Sequence, residues 1–150
     1  MTNNTLLFNE LTPQLVYQIL KLRSEVFVVE QNCIYQDMDD RDLLPDTRHL
    51  FFQQQQMITA YARILAPNTS YPGFSSIGRI VTSPQVRGSG LGHELVAQAV
   101  DQCVTLWPEF AIKISAQSHL TQFYGKHGFV VNGSEYLEDG IPHVQMLRNG

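Results

Sequence analysis

Apolar positions recur along this chain with two different periods. Leu15, Ile19, Leu22, Val26 and Val29 fall at helical steps, the spacing of an amphipathic helix. Thr12-Pro13 ahead of them offers an N-cap followed by proline at the first helical position. The β-branched and aromatic run Val26-Phe27-Val28-Val29 makes the last turn the weakest helical stretch. Further on, Leu91, Leu95, Ala99 and Cys103 share a stripe with Val96, Val100 and Val104 beside it, and Pro108 ends the pattern. A short third helix over about Leu120 to His127 ends at Gly128, a residue suited to a left-handed C-cap.

The other period is that of strands. Phe110, Ile112 and Ile114 alternate against Ala111, Lys113 and Ser115, which predicts a strand from Phe110 to Ala116. Leu6-Leu7-Phe8, Leu50-Phe51-Phe52 and Met57 to Leu65 are further strands, the last two joined by a polar turn over Gln53 to Gln56. Pro67 to Gly73 reads as a loop, and Ser76 to Thr82 as a strand stopped by Pro84, which cannot donate a ladder hydrogen bond. Phe129-Val130-Val131 and His143 to Leu147 close the pattern around a turn at Gly140-Ile141-Pro142. The expected order is β-α-β-β-β-α-β-α-β-β, a mixed α/β three-layer fold in one domain over residues 1–150.

Composition narrows the function. Hydrophobic content of 43% and charged content of 16% suit a packed globule. A net charge of −4 with only 10 scattered Lys and Arg lacks the basic footprint of a nucleic-acid binder. No apolar run reaches the roughly 20 residues of a membrane span. The first residues show no basic and apolar signal segment, so a cytoplasmic location is expected. Cys33 and Cys103 have no CxxC partner and read as reduced thiols, and no His, Cys or carboxylate pair has a metal-ligand spacing.

The strongest chemical signal is Arg87-Gly88-Ser89-Gly90-Leu91-Gly92-His93, where a strand enters a glycine loop that runs straight into a helix. Glycines let successive amides approach an anion without Cβ obstruction. The helix start adds unpaired N–H donors and a partial positive charge, so the segment suits a pyrophosphate. A flexible turn would be the plain alternative, but three glycines at a helix entry cost up to about 1 kcal/mol each in ordering entropy. A Walker loop is excluded because Leu91-Gly92-His93 replaces Gly-Lys-Ser/Thr, and a G-x-G-x-x-G dinucleotide loop because its third glycine is His93. The pattern Arg/Gln-x-x-Gly-x-Gly/Ala is met by Arg87, Gly90 and Gly92.

That pattern resembles the GNAT superfamily of acyl-CoA-dependent N-acetyltransferases, and the likeness extends along the whole chain. Leu22 to Gln31, Ile77 to Pro84 and Glu138 to His143 are similar to strings of its ElaA-type subfamily. The resemblance implies a central mixed, mostly antiparallel sheet flanked by helices, with acetyl-CoA as cosubstrate. It also implies that the strand before the loop splays from its neighbour, leaving Ile80, Val81 and Thr82 to pair with the pantetheine arm. The amide near Val81 would polarise the thioester carbonyl, and amides from Arg87 through Gly88, Ser89, Gly90, Leu91, Gly92 and His93 would receive the pyrophosphate. Tyr124 matches the family's general acid for the departing thiolate, and a phenol of pKa about 10 keeps its proton at neutral pH. Gln117 stands where many members carry an Asn that bonds the pantetheine arm, and Val86 where an aromatic is common.

The acceptor side is less marked. Glu30, His49, His119 and His143 are candidates to take the amine proton. His143 is favoured by its place in the subfamily pattern, and Glu30 because it follows the first helix, where acceptors of the family usually enter. The acidic stretch of Asp37, Asp39, Asp40, Asp42 and Asp46 is read as a solvated connection, or as one in which Asp39 or Asp42 attracts a cationic amine. A small amine or peptide amine is the implied partner, and the family suggests a homodimer through the C-terminal strands. Two rival functions stand beside the acetyltransferase. One is an acyl-CoA-binding sensor without turnover. The other is a relative of acyl-homoserine-lactone synthases, similar at Arg23, Phe27 and Arg63-Ile64-Leu65 but with Cys33 in place of that family's tryptophan.

Overall fold

In the strand Arg48–Gln54 (β2), Leu50 and Phe52 face one way and Phe51 the other, and two separate cores follow from that alternation. The computed structural model, which describes residues 2–149, places these strands in an eight-stranded sheet. The other strands are β1 (Thr2–Leu7), β3 (Met57–Leu65), β4 (Phe74–Thr82), β5 (Ala111–Gln117), β6 (Val130–Val131), β7 (Tyr136–Glu138) and β8 (Ile141–Arg148). Their order is β1-β2-β3-β4-β5-β8-β6, with β7 also on β8. Only β4 and β5 run parallel; every other pair is antiparallel.

Helix α2 (Leu91–Leu106) covers one face, burying Leu91, Leu95, Val96, Ala99, Val100 and Cys103 against Leu50, Phe52, Ala60, Ala62 and Ile64. On the other face, α1 (Pro13–Arg23) lays Ile19 and Leu22 against Phe51, Ile58, Tyr61 and Val81. Thr12 caps α1 through its side chain, with Pro13 following, as its sequence predicts. The result is the mixed three-layer α/β fold expected.

Four details depart from the sequence reading. The first strand spans Thr2–Leu7, and Phe8 opens a 3₁₀ turn instead. The weak last turn of the first helix winds as a π-helix over Ser24–Glu30, with Gln31 N donating to Val26 O and Cys33 N to Val28 O. That wider winding shifts the stripe, so Val26 stays buried while Val29 is 71% exposed. A strand at Tyr136–Glu138 escaped notice because its three residues show no alternation. Finally, the closing turn lies at Asp139-Gly140, both left-handed, and Ile141 and Pro142 already belong to β8. The short helix α3 (Thr121–Gly125) does end ahead of a left-handed Gly128 at φ +89°.

The acidic stretch is anchored rather than simply solvated. Arg23, 0% exposed, donates Nε to Asp37 at 2.8 Å and Nη1 to Asp42 at 2.7 Å. Arg63 donates to both carboxylate oxygens of Asp39, at 2.7 and 2.8 Å, and to Asp42 at 3.1 Å. Asp42 is thus held between two arginines and is not a landing place for an amine. Burial opposes ionisation of Asp39 and Asp42, but the arginine hydrogen bonds outweigh it, holding Asp42 below its usual range and Asp39 at about 2.

A depressed folded-state pKa contributes stability above the unfolded value and loses it as pH falls through the folded one. The melting temperature should therefore hold from neutrality to about pH 5 and fall steadily toward pH 2. Circular-dichroism melts across that range test this; a flat profile would mean the network contributes nothing.

Candidate active site

A β-bulge marks β4 where the chemistry is expected. Tyr61 pairs with Val81 and Arg63 with Gly78, so β4 carries an extra residue between them. Arg79, in that bulge, sits at φ +50°, an unusual conformation for a side-chain-bearing residue. Its guanidinium is fixed by Asp37, with Nε to Oδ1 at 2.7 Å and Nη2 donating to the Asp37 carbonyl at 2.8 Å, and it lies over the Tyr35 ring. The acidic stretch thereby offsets the backbone cost of the bulge.

Already ahead of the bulge, β4 and β5 part. They pair only at Phe74–Ala111 and Ser75–Ile112, although β4 continues to Thr82 and β5 to Gln117. The opening is a cavity of about 810 Å³, lined on the β4 side by Ile80, Val81 and Thr82 and on the β5 side by Ser115 and Gln117. The unpaired backbone edge of β4 is a ready template for an extended ligand.

At one end the cavity reaches Arg87, the residue that opens the glycine loop. Gly88 and Gly90 both stand at φ +84°, and nothing lies within 4 Å of where their Cβ atoms would be. Only glycine adopts this conformation without strain, and the empty space is on the side a ligand would approach. Gly90 begins α2 without any side-chain cap, so the first turn keeps donors for an anion. Ser89 Oγ donates to Val86 O at 2.6 Å and stiffens the loop. The side chains of Leu91 and His93 do not face the loop's open side. Leu91 is buried in the core, and His93 stacks on Phe123 with Nδ1 2.9 Å from His127 Nε2. A Cβ at Gly92 would lie 3.5 Å from the Phe123 ring. Leu91 and Gly92 can meet an anion only through their backbone, whereas His93 N already donates to Gly90 O at 3.1 Å.

Tyr124, on α3, lines the same cavity and is 7% exposed, its ring set edge-on to Phe123 and Phe129. Burial alone pushes its phenol up to about 12, so the group keeps its proton at neutral pH. Gln117 ends β5, lines the cavity and donates Nε2 to Gln31 Oε1 at 3.5 Å.

The four proton-acceptor candidates separate on their surroundings. Glu30 forms a two-pronged pair with Arg87, Oε1 to Nη2 at 2.7 Å and Oε2 to Nη1 at 2.9 Å, which lowers its pKa. This contact joins the end of the first helix to the glycine loop. His49 lies outside the cavity, its Nδ1 accepting from Tyr61 at 2.7 Å and its Nε2 donating to Asp42 O at 3.1 Å, with burial lowering its pKa. His119 is exposed at the cavity wall. His143 is buried at the cavity wall, donating Nδ1–H to Ile141 O at 2.7 Å, so a neutral ring leaves its Nε2 lone pair free.

Sequence reasoning missed the bulge, because a left-handed arginine has no local signature, and missed Ser115, Tyr136 and Glu138. Those three meet across β5 and β7 at the cavity wall; no pattern within either segment announces the meeting.

Known proteins bear on this geometry. Residues 9–149 match the family model described as acetyltransferase (GNAT) domain. Protein ElaA of Escherichia coli is 41% identical over 140 residues, covering 93% of this chain and 91% of that protein. A UPF0039 protein of Synechocystis is 42% identical over 141 residues, covering 93% and 90%. The crystal structure of an acyl-CoA N-acyltransferase from Pseudomonas aeruginosa superposes with a TM-score of 0.93 at 42% identity over 99% of both chains. That of Escherichia coli ElaA gives 0.92 at 39% identity over 98% of both. Sequence, sheet topology and the splayed cleft agree, and the chain belongs to the GNAT family of acetyltransferase domains.

Proposed function

We infer that this protein takes the acetyl group of acetyl-CoA and passes it to a primary amine by direct attack. The observation that carries this reading is the cleft that runs from Arg87, at the head of the uncapped glycine loop, along the free edge of β4 to the buried hydroxyl-bearing ring of Tyr124. The cleft suits acetyl-CoA part by part. Pyrophosphate is held by loop amides from Gly88 to Gly92, with Arg87 adding a charge-assisted hydrogen bond. The pantetheine arm adds to β4 along Ile80, Val81 and Thr82 as an extra strand would, with Gln117 across the gap. Glu30 in this reading is the partner that steadies Arg87.

The chemistry then has two needs. As the amine nitrogen attacks, the thioester oxygen becomes an oxyanion, and a β4 amide near Val81 is its donor. When the tetrahedral centre collapses, the C–S bond breaks and its electron pair goes to sulfur. Tyr124 supplies the proton there, and its raised pKa keeps that proton available across the neutral range. The proton lost by the amine goes to His143 Nε2. Two buried, unpaired cysteines suit a reducing, cytoplasmic setting for this reaction.

Steady-state thiol release from acetyl-CoA tests the reading. The expected result is turnover that requires an amine and saturates in both reactants. Tight acetyl-CoA binding with no turnover against a broad amine panel would favour a sensor instead.

A further inference from the structure

The cavity wall opposite β4 carries a hydrogen-bonded cluster that the acyl-donor chemistry leaves unused. Ser115 on β5, Tyr136 and Glu138 on β7 and His143 on β8 are brought together by pairing of these strands, which sets Tyr136 beside His143. Tyr136 and Ser115 share a hydrogen bond between their hydroxyls, and Ser115 Oγ donates to Glu138 Oε1 at 3.3 Å. With Tyr136 donating, the hydrogens run in one direction, from Tyr136 through Ser115 onto the carboxylate.

The other carboxylate oxygen has no such donor. Glu138 Oε2 stands 3.4 Å from His143 Nε2, and His143 has already committed its Nδ1–H to Ile141 O. In the neutral ring, two lone-pair acceptors therefore face each other. A proton, a bridging water or an incoming N–H satisfies both, and an ammonium does so while also neutralising the carboxylate. The Glu138 side chain is 49% exposed into the cavity, whereas the His143 side chain is 9% exposed. The other acids of the cavity wall differ. Glu30 is held by Arg87 and Asp39 by Arg63, while among the described residues Glu138 and Asp139 have no arginine or lysine partner.

We propose that Glu138 is the acceptor-binding residue: its carboxylate, oriented by Ser115 and Tyr136, receives the acceptor's amine as an ammonium and, with His143, accepts its proton. The acceptor class is a basic alkylamine that arrives charged. The steps balance. The ammonium gives one proton to the Glu138–His143 pair, and the freed nitrogen lone pair forms the C–N bond. The C–S bond then breaks with its electrons going to sulfur, which is protonated by Tyr124. The nitrogen's second proton leaves to water, the pair returns its own to solvent, and Tyr124 regains one from solvent, so one proton is released overall. This assignment rests on the acetyl-transfer reading above.

Glu138→Gln keeps the shape and removes the charge. With acetyl-CoA saturating, thiol release would be followed for propylamine, putrescine and spermidine, which arrive charged, and for trifluoroethylamine, which arrives largely neutral. A hydrogen bond to a charged group supports an expected loss of about 30-fold in kcat/KM for the charged amines, through KM of the amine, and of less than about 3-fold for the neutral one. Glu138→Asp should recover part of the loss, and the exposed Glu135→Gln should match wild type, as should the acetyl-CoA Kd and melting temperature of all three. Equal losses on charged and neutral amines, or none, would overturn the proposal. So would a wild-type protein that binds acetyl-CoA in a calorimeter yet acetylates no amine of the set. Absence of acetyl-CoA binding by wild type would instead remove the donor reading on which the assignment rests.

Discussion

Gly90→Glu should abolish acetyl-CoA binding while leaving a folded protein. Gly90 stands at φ +84° at the head of α2, with open space where a Cβ would project. Any side-chain-bearing residue there meets a backbone cost of about 1–2 kcal/mol, enough to lower the melting temperature but not to unfold a typical domain. The carboxylate adds a second, larger effect on the ligand alone. A charge about 5 Å from a phosphate, at an effective dielectric of about 20, is repelled by about 3 kcal/mol, somewhat more than 100-fold in Kd. Gly90→Ala separates the two contributions, since it carries the backbone cost without the charge. Calorimetric titration should show Gly90→Ala weakened by no more than about 10-fold, in line with its backbone cost, and Gly90→Glu without measurable binding. Equal affinity in Gly90→Glu and wild type would mean that the pyrophosphate lies elsewhere.

Tyr124→Phe should separate catalysis from binding. The ring packs edge-on against Phe123 and Phe129, contacts that phenylalanine keeps, and burial alone accounts for the raised pKa of the hydroxyl. The melting temperature should therefore change little, and the acetyl-CoA Kd should stay within about 2-fold, because the phenol is assigned to the leaving sulfur and not to the bound thioester. The rate should fall by about 10²–10³, the range for loss of a positioned general acid. The fall should be steeper for an oxygen-swapped analogue of the thioester, whose leaving group needs protonation more. A kcat unchanged in Tyr124→Phe would assign the proton to water or to another residue.

How much of this could be read from residues alone depends on how local each feature is. The glycine loop, the two long helices and most strands were legible because their signals lie within a few neighbouring positions. Gly88 and Gly90 lie beside open space, as an unobstructed loop would, and their left-handed backbone is a further reason for glycine that the sequence does not announce. The exposed Val29 was misread because a periodic stripe presumes an unbroken α-helix, and the π-turn over Ser24–Glu30 breaks the count.

The acidic stretch was misread for a different reason. Its partners Arg23 and Arg63 lie 14 to 24 residues away along the chain, where no periodicity links them. Composition shows a run of aspartates, whereas the fold shows a set of ion pairs that hold the bulged Arg79 and one wall of the cleft. The cluster of Ser115, Tyr136, Glu138 and His143 is equally non-local, assembled from three strands by register. The donor end of the site is thus written in one short segment, while the acceptor end exists only after folding.

Transfer of an acetyl group from coenzyme A to an amine leaves a new amide as its product. Its most direct test is to incubate the protein with isotope-labelled acetyl-CoA and propylamine, putrescine or spermidine, and to follow the label by mass spectrometry. The account predicts label in an amide of the amine, formed in step with free CoA and lost in Tyr124→Phe. Label released as free acetate with no amide, or labelled acetyl-CoA bound and left intact, would contradict it.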